Sequence, residues 1–441
     1  MAQCNLPNFV FPAVKSRRIE VNFDGGDVTS DGGALLLRQA DRHLNLTSRV
    51  SSVFPEVRQR GKIRHPRLQM TRQRVYGIAL GYEDLNDHDD LRLDPLFQTA
   101  VGRDSCLASD STLCRFEQRS DRSAAVALSQ VLVEVFVESF KTAPKELVLD
   151  FDATDDPVHG GQEKRFFHGY YDHYCFLPLY VFCGSQLLVS YLRPSNIDAA
   201  KHSWAILSLL VSLLVKRFRQ EWPDVNIIFR GDSGFCRHRM LEWCNRHNVG
   251  FIVGLAKNKR LMKMCSRTRD KSAKQQGRLG GSVRNFIDLG YAAEPWKQRQ
   301  RVIVKAEHNA HGPNTRFVVT NLPGKARHLY EKTYCARGDM ENRIKEQKLH
   351  LFADRTSCAK WWSDQMRLLF SSLAYVLFDA MRRLALAGTR LATATCETIR
   401  LKLLKIGAVV IRNTRRIRIM LSSAYPGKDL FSLVAKRLAP G

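Results

Sequence analysis

At 441 residues the chain can bury a large core and has room for roughly two to four domains, and its 44% apolar and 25% charged fractions are those of a globular protein in water. Lys and Arg outnumber Asp and Glu by 69 to 43, a net charge of +26 that points to a polyanionic partner, either nucleic acid or an anionic membrane. The composition excludes a membrane span, because the longest apolar run, Trp204 to Val215, holds twelve residues including two Ser, against about 20 for a span; it also excludes a disulfide framework, since the 11 cysteines form no CxxC pair. The opening MAQCNLPNFVF lacks the basic-then-apolar layout of a signal peptide, so a cytoplasmic location is expected.

Residues 1–140 predict a mostly helical, DNA-binding N-terminal region. An extended segment, Arg17 to Gly25, precedes the helix-like GGALLLRQADRHL, a basic helix-like stretch from Lys62 to Arg74 and an acidic one from Gly81 to Asp94. Asp84, Asp87, Asp89 and Asp90 suit a helix start better than a metal site, because aspartate is favoured at caps and first turns. In SDSTLCRFEQR, Ser111 or Thr112 can cap a helix carrying Arg115, Arg119 and Arg122 outward. Such a helix fits either the DNA-reading element of a helix-turn-helix or an ordinary linker.

From Lys145 the texture changes to short apolar strands. ELVLDFDAT (146–154) reads as a strand, and FLPLYVFCG with QLLVSYLRP, joined at Gly184-Ser185, as a hairpin. A helix from Ala199 to Trp222 leads to the strand VNIIFRGDSG (225–234), the helix HRMLEWCNRHN and the strand VGFIVGLAK (249–257). Hairpin strands followed by β, α, β alternation predict an α/β fold with a mixed sheet covered by helices. Cys236, His238, Cys244 and His247 lack the usual zinc-finger spacing and fall on a helix following a strand, so zinc is not expected there.

The alternation breaks after Lys257. The basic stretch 258–278 and a β-hairpin from RVIVKAE and TRFVVTNLP mark residues 256–322 as a β-rich insertion into a core spanning 141–255 and 323–386. The long apolar-faced helix 360–386 is expected to pack on that core. In the C-terminal region, 387–441, residues 401–441 carry nine Lys or Arg against Asp429 alone, which suits a tail lying on phosphate or a partner subunit.

Chemistry concentrates in YCARGDMENRIKEQK, Tyr334 to Lys348. At about 100° per residue, offsets of three, seven and fourteen put Tyr334, Arg337, Glu341 and Lys348 within about 60° on one helix face. Alone this stripe is also compatible with a solvated ion-paired surface, Arg337 and Glu341 being an i,i+4 pair. Two further acids shift the balance: Asp152, on the same strand face as Asp150, and Asp232, closing IIFRGD. Strand-end carboxylates beside a helical Glu can bind two divalent ions for phosphodiester cleavage, and cations would relieve the repulsion among buried acids.

These residues carry a resemblance. The chain resembles the DDE transposases of bacterial insertion sequences, in the cut-and-paste branch with a Y-x2-R-x3-E-x6-K signature, matched at every interval by Tyr334, Arg337, Glu341 and Lys348. It covers about 145 to 375 and, less closely, the N-terminal part. The resemblance implies an RNase H-like catalytic core with a β-rich insertion, plus helical N-terminal and basic helical C-terminal regions. It makes Asp152 (in Asp152-Ala153-Thr154, with Asp150 as runner-up), Asp232 and Glu341 the catalytic triad and ligands of Mg²⁺, for which Mn²⁺ can substitute. Tyr334, Arg337 and Lys348 would contact phosphates of the transposon end. Trp296, in EPWKQRQR, is a candidate for stacking on an extruded base, with core packing as the alternative.

The implied activity is binding of terminal inverted repeats, metal-assisted hydrolysis releasing a 3′-OH, and joining of that 3′-OH to target DNA. The partners would be double-stranded end and target DNA and, by paired-end logic, a second copy in a homodimer. A host RNase H-like nuclease or junction resolvase shares the metal chemistry without strand transfer. A noncatalytic DNA-binding protein would not need Asp152, Asp232 and Glu341 intact.

Overall fold

The computed structural model describes residues 8–196 and 203–439, of which the side chains at 203–208 are not considered. The chain divides into two compact units, Met1–Glu117 with Leu373–Gly441, and Gln118–Ser372.

The first unit is built from both ends of the chain. Val28–Thr29 pairs with Ala408–Arg412, which pairs in turn with Ile417–Leu421, in a three-stranded sheet. The buried carboxylate of Asp31 takes a salt bridge from Lys405 (2.7 Å) and a hydrogen bond from the Tyr82 hydroxyl (2.7 Å). Gly33 permits this docking, since a Cβ there would fall 2.2 Å from the Leu403 carbonyl oxygen. Residues 401–439 are thus largely folded, with Val434 and Leu438 buried, while Arg415, Arg416 and Arg418 stay exposed.

Several N-terminal expectations shift in position. The helix expected over Lys62 to Arg74 runs Arg67–Leu80 instead, because Pro66 sets extended backbone just before it. Asp87, Asp89 and Asp90 occupy the first turn of a short helix, Asp87–Leu91. Arg115, Arg119 and Arg122 do not share one helix: Asp110–Glu117 ends, and Asp121 caps a new helix by accepting from the Ala124 N–H (2.9 Å). Ser111 and Thr112 lie inside the first of these helices, not at its cap.

The second unit contains an eight-stranded sheet: β1 (Glu146–Ala153), β2 (Leu179–Cys183), β3 (Gln186–Tyr191), β4 (Asn226–Gly231), β5 (Gly250–Leu255), β6 (Val283–Tyr291), β7 (Gln300–Asn309) and β8 (Gly312–Thr320). The spatial order is β6-β7-β8-β5-β4-β1-β2-β3. β1, β4 and β5 are parallel; the β2-β3 hairpin is antiparallel to β1, and β8 is antiparallel to β5. The region 256–322 therefore continues the core sheet rather than building a separate one. β6, in SVRNFIDLGY, is a strand that sequence patterning missed, because its burial does not alternate and Arg284, Asn285 and Asp288 interrupt its apolar residues.

Side-chain alternation divides the sheet into two faces. Leu147, Leu149, Phe151, Ile227 and Phe229 enter the larger core, with helices α1 (Arg122–Glu138), α2 (Ser203–Glu221) and α3 (His238–Arg246) in the same unit. The expected start of α2, Ala199 to His202, lies outside the described residues. Ile228, Ile252, Ile303 and Val318 face the other way, joined by Val148 and covered by Leu329, Tyr330 and Tyr334. That second cluster brings the segment leading to Glu341 across the sheet. α4 (Lys259–Met264) and α5 (Ser266–Leu279) precede β6, and α6 (Gly338–Leu351) carries Glu341.

The stretch from 329 to 351 is helical throughout but not uniform. A wide π turn spans Leu329–Tyr334, a tight 3-10 turn spans Cys335–Arg337, and the regular α-helix starts only at Gly338. The constant 100° step therefore fails between Tyr334 and Arg337. Tyr334 nevertheless lies against Gly254 of β5 and Arg337 against Asp152 of β1.

Candidate active site

Period-two alternation puts Asp150 and Asp152 on the sheet face crossed by residues 329–337. Their partners differ. Register sets Asp150 directly beside Arg230 of β4, and the guanidinium clasps the carboxylate through Nε and through Nη2 (2.6 Å). Both groups are buried, so this is a closed, charge-neutral pair in which each Asp150 oxygen accepts one guanidinium hydrogen bond. Asp152 is the open member.

Arg337 donates from Nη1 to Asp152 Oδ2 (2.9 Å) and from Nη2 to Glu341 Oε1, bridging the strand acid and the helix acid. Asp232 lies just past β4, where its side chain accepts the Gly234 N–H (2.8 Å) and closes the turn Ser233–Phe235. Burial pushes the Asp152 carboxyl up to about 6; Arg337 pulls it down, while the negative charges of Asp232 and Glu341 push it up further. Asp232 and Glu341 are each within electrostatic reach of Asp152. Glu341 is the exposed member, with its side chain 56% exposed.

Tyr334 completes this arrangement through space left by Gly254. A Cβ at Gly254 would lie 2.7 Å from the Tyr334 hydroxyl, 2.8 Å from the Ser233 nitrogen and 3.1 Å from the Asp232 carbonyl carbon. Gly254 thus allows β5 to pass close under both the Asp232 turn and the tyrosine. Burial raises the Tyr334 phenol, so it stays protonated and able to donate.

Lys348, expected at a phosphate, is turned onto the protein. Its ammonium donates to Thr154 Oγ1 (3.3 Å) and the Asp155 carbonyl, with Asp155 Oδ1 and Asp156 Oδ1 each at 3.8 Å. Asp156 is fully buried, neither carboxylate oxygen has a hydrogen bond, and burial drives its carboxyl well above the usual range. Lys348 therefore ties α6 to the turn that follows Asp152. Trp296 lies away from these groups, packed against the larger core with its ring edge-on to Tyr291 at 5.6 Å.

Among the described residues, no three His, Cys, Asp or Glu side chains stand close enough to hold a metal ion as placed. The donor chemistry nevertheless fits a hard divalent cation: carboxylate oxygens only, that of Asp152 raised chiefly by burial and further by the charges of Asp232 and Glu341, with a guanidinium in the space between two of them. Releasing the exposed Glu341 carboxylate from Arg337 is the rearrangement that would let it join Asp152 and Asp232.

The sequence pattern of the family Transposase DDE domain group 1 matches residues 11–440. The chain belongs to this family of DDE transposases. It is accordingly a DNA-recombining enzyme of a class that uses divalent metals and binds DNA. No curated protein matches the transposase sequence closely enough to be counted a relative. No helix among the described residues of the transposase is long and apolar enough to cross a membrane. Three residues that support the site, Arg230, Gly254 and Asp156, escape sequence reasoning. The one available signal was Arg230, a cation in the otherwise apolar run IIFRG, whose partner Asp150 becomes visible only through strand register.

Proposed function

We propose that this transposase cuts DNA at transposon ends and joins the freed 3′-OH to target DNA, with Asp152, Asp232 and Glu341 as the catalytic acids. The observation that carries the reading is the Arg337 bridge between Asp152 and Glu341 beside the Asp232 turn, which unites acids separated in sequence. The strand order β3-β2-β1-β4-β5, with β4 and β5 parallel to β1 and the hairpin antiparallel, supports an RNase H-like core for this chemistry.

Asp152, Asp232 and Glu341 would hold two Mg²⁺ ions, with Mn²⁺ able to substitute; when bound, these polarise the scissile phosphate and stabilise charge on the attacking and leaving oxygens. Arg337, released from Glu341, is placed to turn its guanidinium to a phosphate, for which its planar fork is suited. The protonated Tyr334 hydroxyl supplies a neutral donor at the same edge. Lys348 acts on the DNA end through the Thr154–Asp156 turn that it holds, and Trp296 supports the fold. Two copies working on paired ends is the assembly expected.

Glu341→Gln should leave binding to end DNA within about twofold and abolish Mg²⁺-dependent strand cleavage. Cleavage at the normal rate by the purified variant would remove Glu341 from the site. A joined product with end-containing DNA and a target plasmid separates transposition from simple nuclease activity.

A further inference from the structure

Outside the carboxylate site, α5 carries an exposed row of cations. Its inner side is fixed to the sheet: Ser272 donates to the Ala306 carbonyl (2.9 Å), and Asn285 of β6 donates to Ser272 (2.9 Å) and Gln275 (2.8 Å). Turned well away from Ser272 are Arg267, Lys271, Lys274 and Arg278, spaced four, three and four residues apart and all exposed. At about 100° per residue these four fall within about 60° of one another.

None of the four makes an ion pair or side-chain hydrogen bond among the described residues. Asp270, exposed at the edge of the same shallow groove, is its single acid. An ordinary solvated helix face intersperses both signs at i,i+4 spacing, so that each cation finds an acid. Here the cations stand in a row on a helix that is anchored from behind, and their mutual repulsion is left for an external anion to relieve.

We propose that this face of α5 is a second DNA contact, gripping the phosphate backbone of duplex DNA without reading its sequence. The row runs from Arg267 to Arg278, eleven residue steps or about 16 Å of helix axis, which matches the axial length of about five phosphates on one strand. Cations on long flexible stems in a row along one helix suit successive backbone phosphates, and the groove's amide, Gln275, is engaged from behind by Asn285. The inference rests on DNA being the substrate of the carboxylate site but requires none of that site's residues.

The test is the salt dependence of binding by the full-length protein to a fluorescent duplex of arbitrary sequence without terminal repeats, between 50 and 200 mM salt. Replacing Arg267, Lys271, Lys274 and Arg278 together by Ala should reduce the slope of log K against log salt by about 3 to 4, at roughly 0.9 per phosphate contact. The charge-keeping exchange of each Arg for Lys and each Lys for Arg should restore it. Should the fourfold variant fail to fold, Lys271→Ala and Arg278→Ala singly should each lower the slope by about 1. A slope unchanged in the alanine variants, or a loss confined to binding of anionic phosphatidylserine vesicles, would overturn the proposal. Glu341→Gln is expected to lose cleavage with the slope intact, so failure of the catalytic reading and failure of this one register in separate measurements.

Discussion

Asp150 and Asp152, two positions apart on one strand face, are both raised by burial but differ in their partners. Asp150 holds Arg230 in register at two points, whereas Asp152 shares Arg337 with Glu341 and has its carboxyl raised to about 6. Its ordinary value is about 3.9, so protonation favours the folded state between these two values, and ionisation costs stability as pH rises through 6. Cation binding needs the ionised form. Cleavage at limiting Mg²⁺ should therefore fall about tenfold per pH unit below 6, and added Mg²⁺ should move the midpoint to lower pH by competing with the proton. A flat rate profile from pH 5 to 7 would contradict this role for Asp152. For the closed pair, Arg230→Ala should destabilise by about 3–5 kcal/mol by stranding a buried carboxylate, while Asp150→Leu combined with Arg230→Met should recover most of the loss. Urea denaturation of the single and double variants measures both.

At the scale of elements, the site depends on how closely β5 approaches the Asp232 turn and the helical segment from Leu329. Gly254→Ala places a methyl against backbone atoms of that turn as well as against Tyr334, and backbone cannot swing aside as a side-chain tip can. We expect a loss of about 1–3 kcal/mol in stability and a fall in cleavage of at least tenfold with DNA binding retained, read by thermal unfolding and single-turnover assays. Equal activity in this variant would mean that the Asp232 turn tolerates displacement. Lys348 belongs to the same scale, since it ties α6 to the turn after β1 and so couples the placement of Glu341 to that of Asp152.

Across the molecule, the N-terminal unit takes its sheet from residues more than 370 positions downstream in the chain, Val28–Thr29 pairing with Ala408–Arg412. Removing residues 405–441 deletes that strand and strips the buried Asp31 of Lys405. Hydrogen exchange should then show loss of protection over Ala34–Leu44 and Arg67–Leu80, with β1, β4 and β5 still protected. Protection retained in the first two helices would show that the unit stands without its C-terminal half.

Sequence by itself carried the resemblance to DDE transposases, which the family match over residues 11–440 bears out, and offered Asp152, Asp232 and Glu341 as candidate acids, because short apolar runs mark the strands that end in Asp and the Tyr334-to-Lys348 intervals match the family's signature. It also determined the β1, β4, β5 succession and the β2-β3 hairpin, each marked by short apolar runs and turn residues. Tertiary structure decided the rest: that Arg230 pairs with Asp150, that Lys348 bonds the turn after β1, and that Trp296 packs against the larger core. It also decided that residues 256–322 extend the core sheet and that the basic tail completes the N-terminal unit. Each of these depends on which strand lies beside which and in what register, and a pairing between distant segments leaves no mark in the residues near either one.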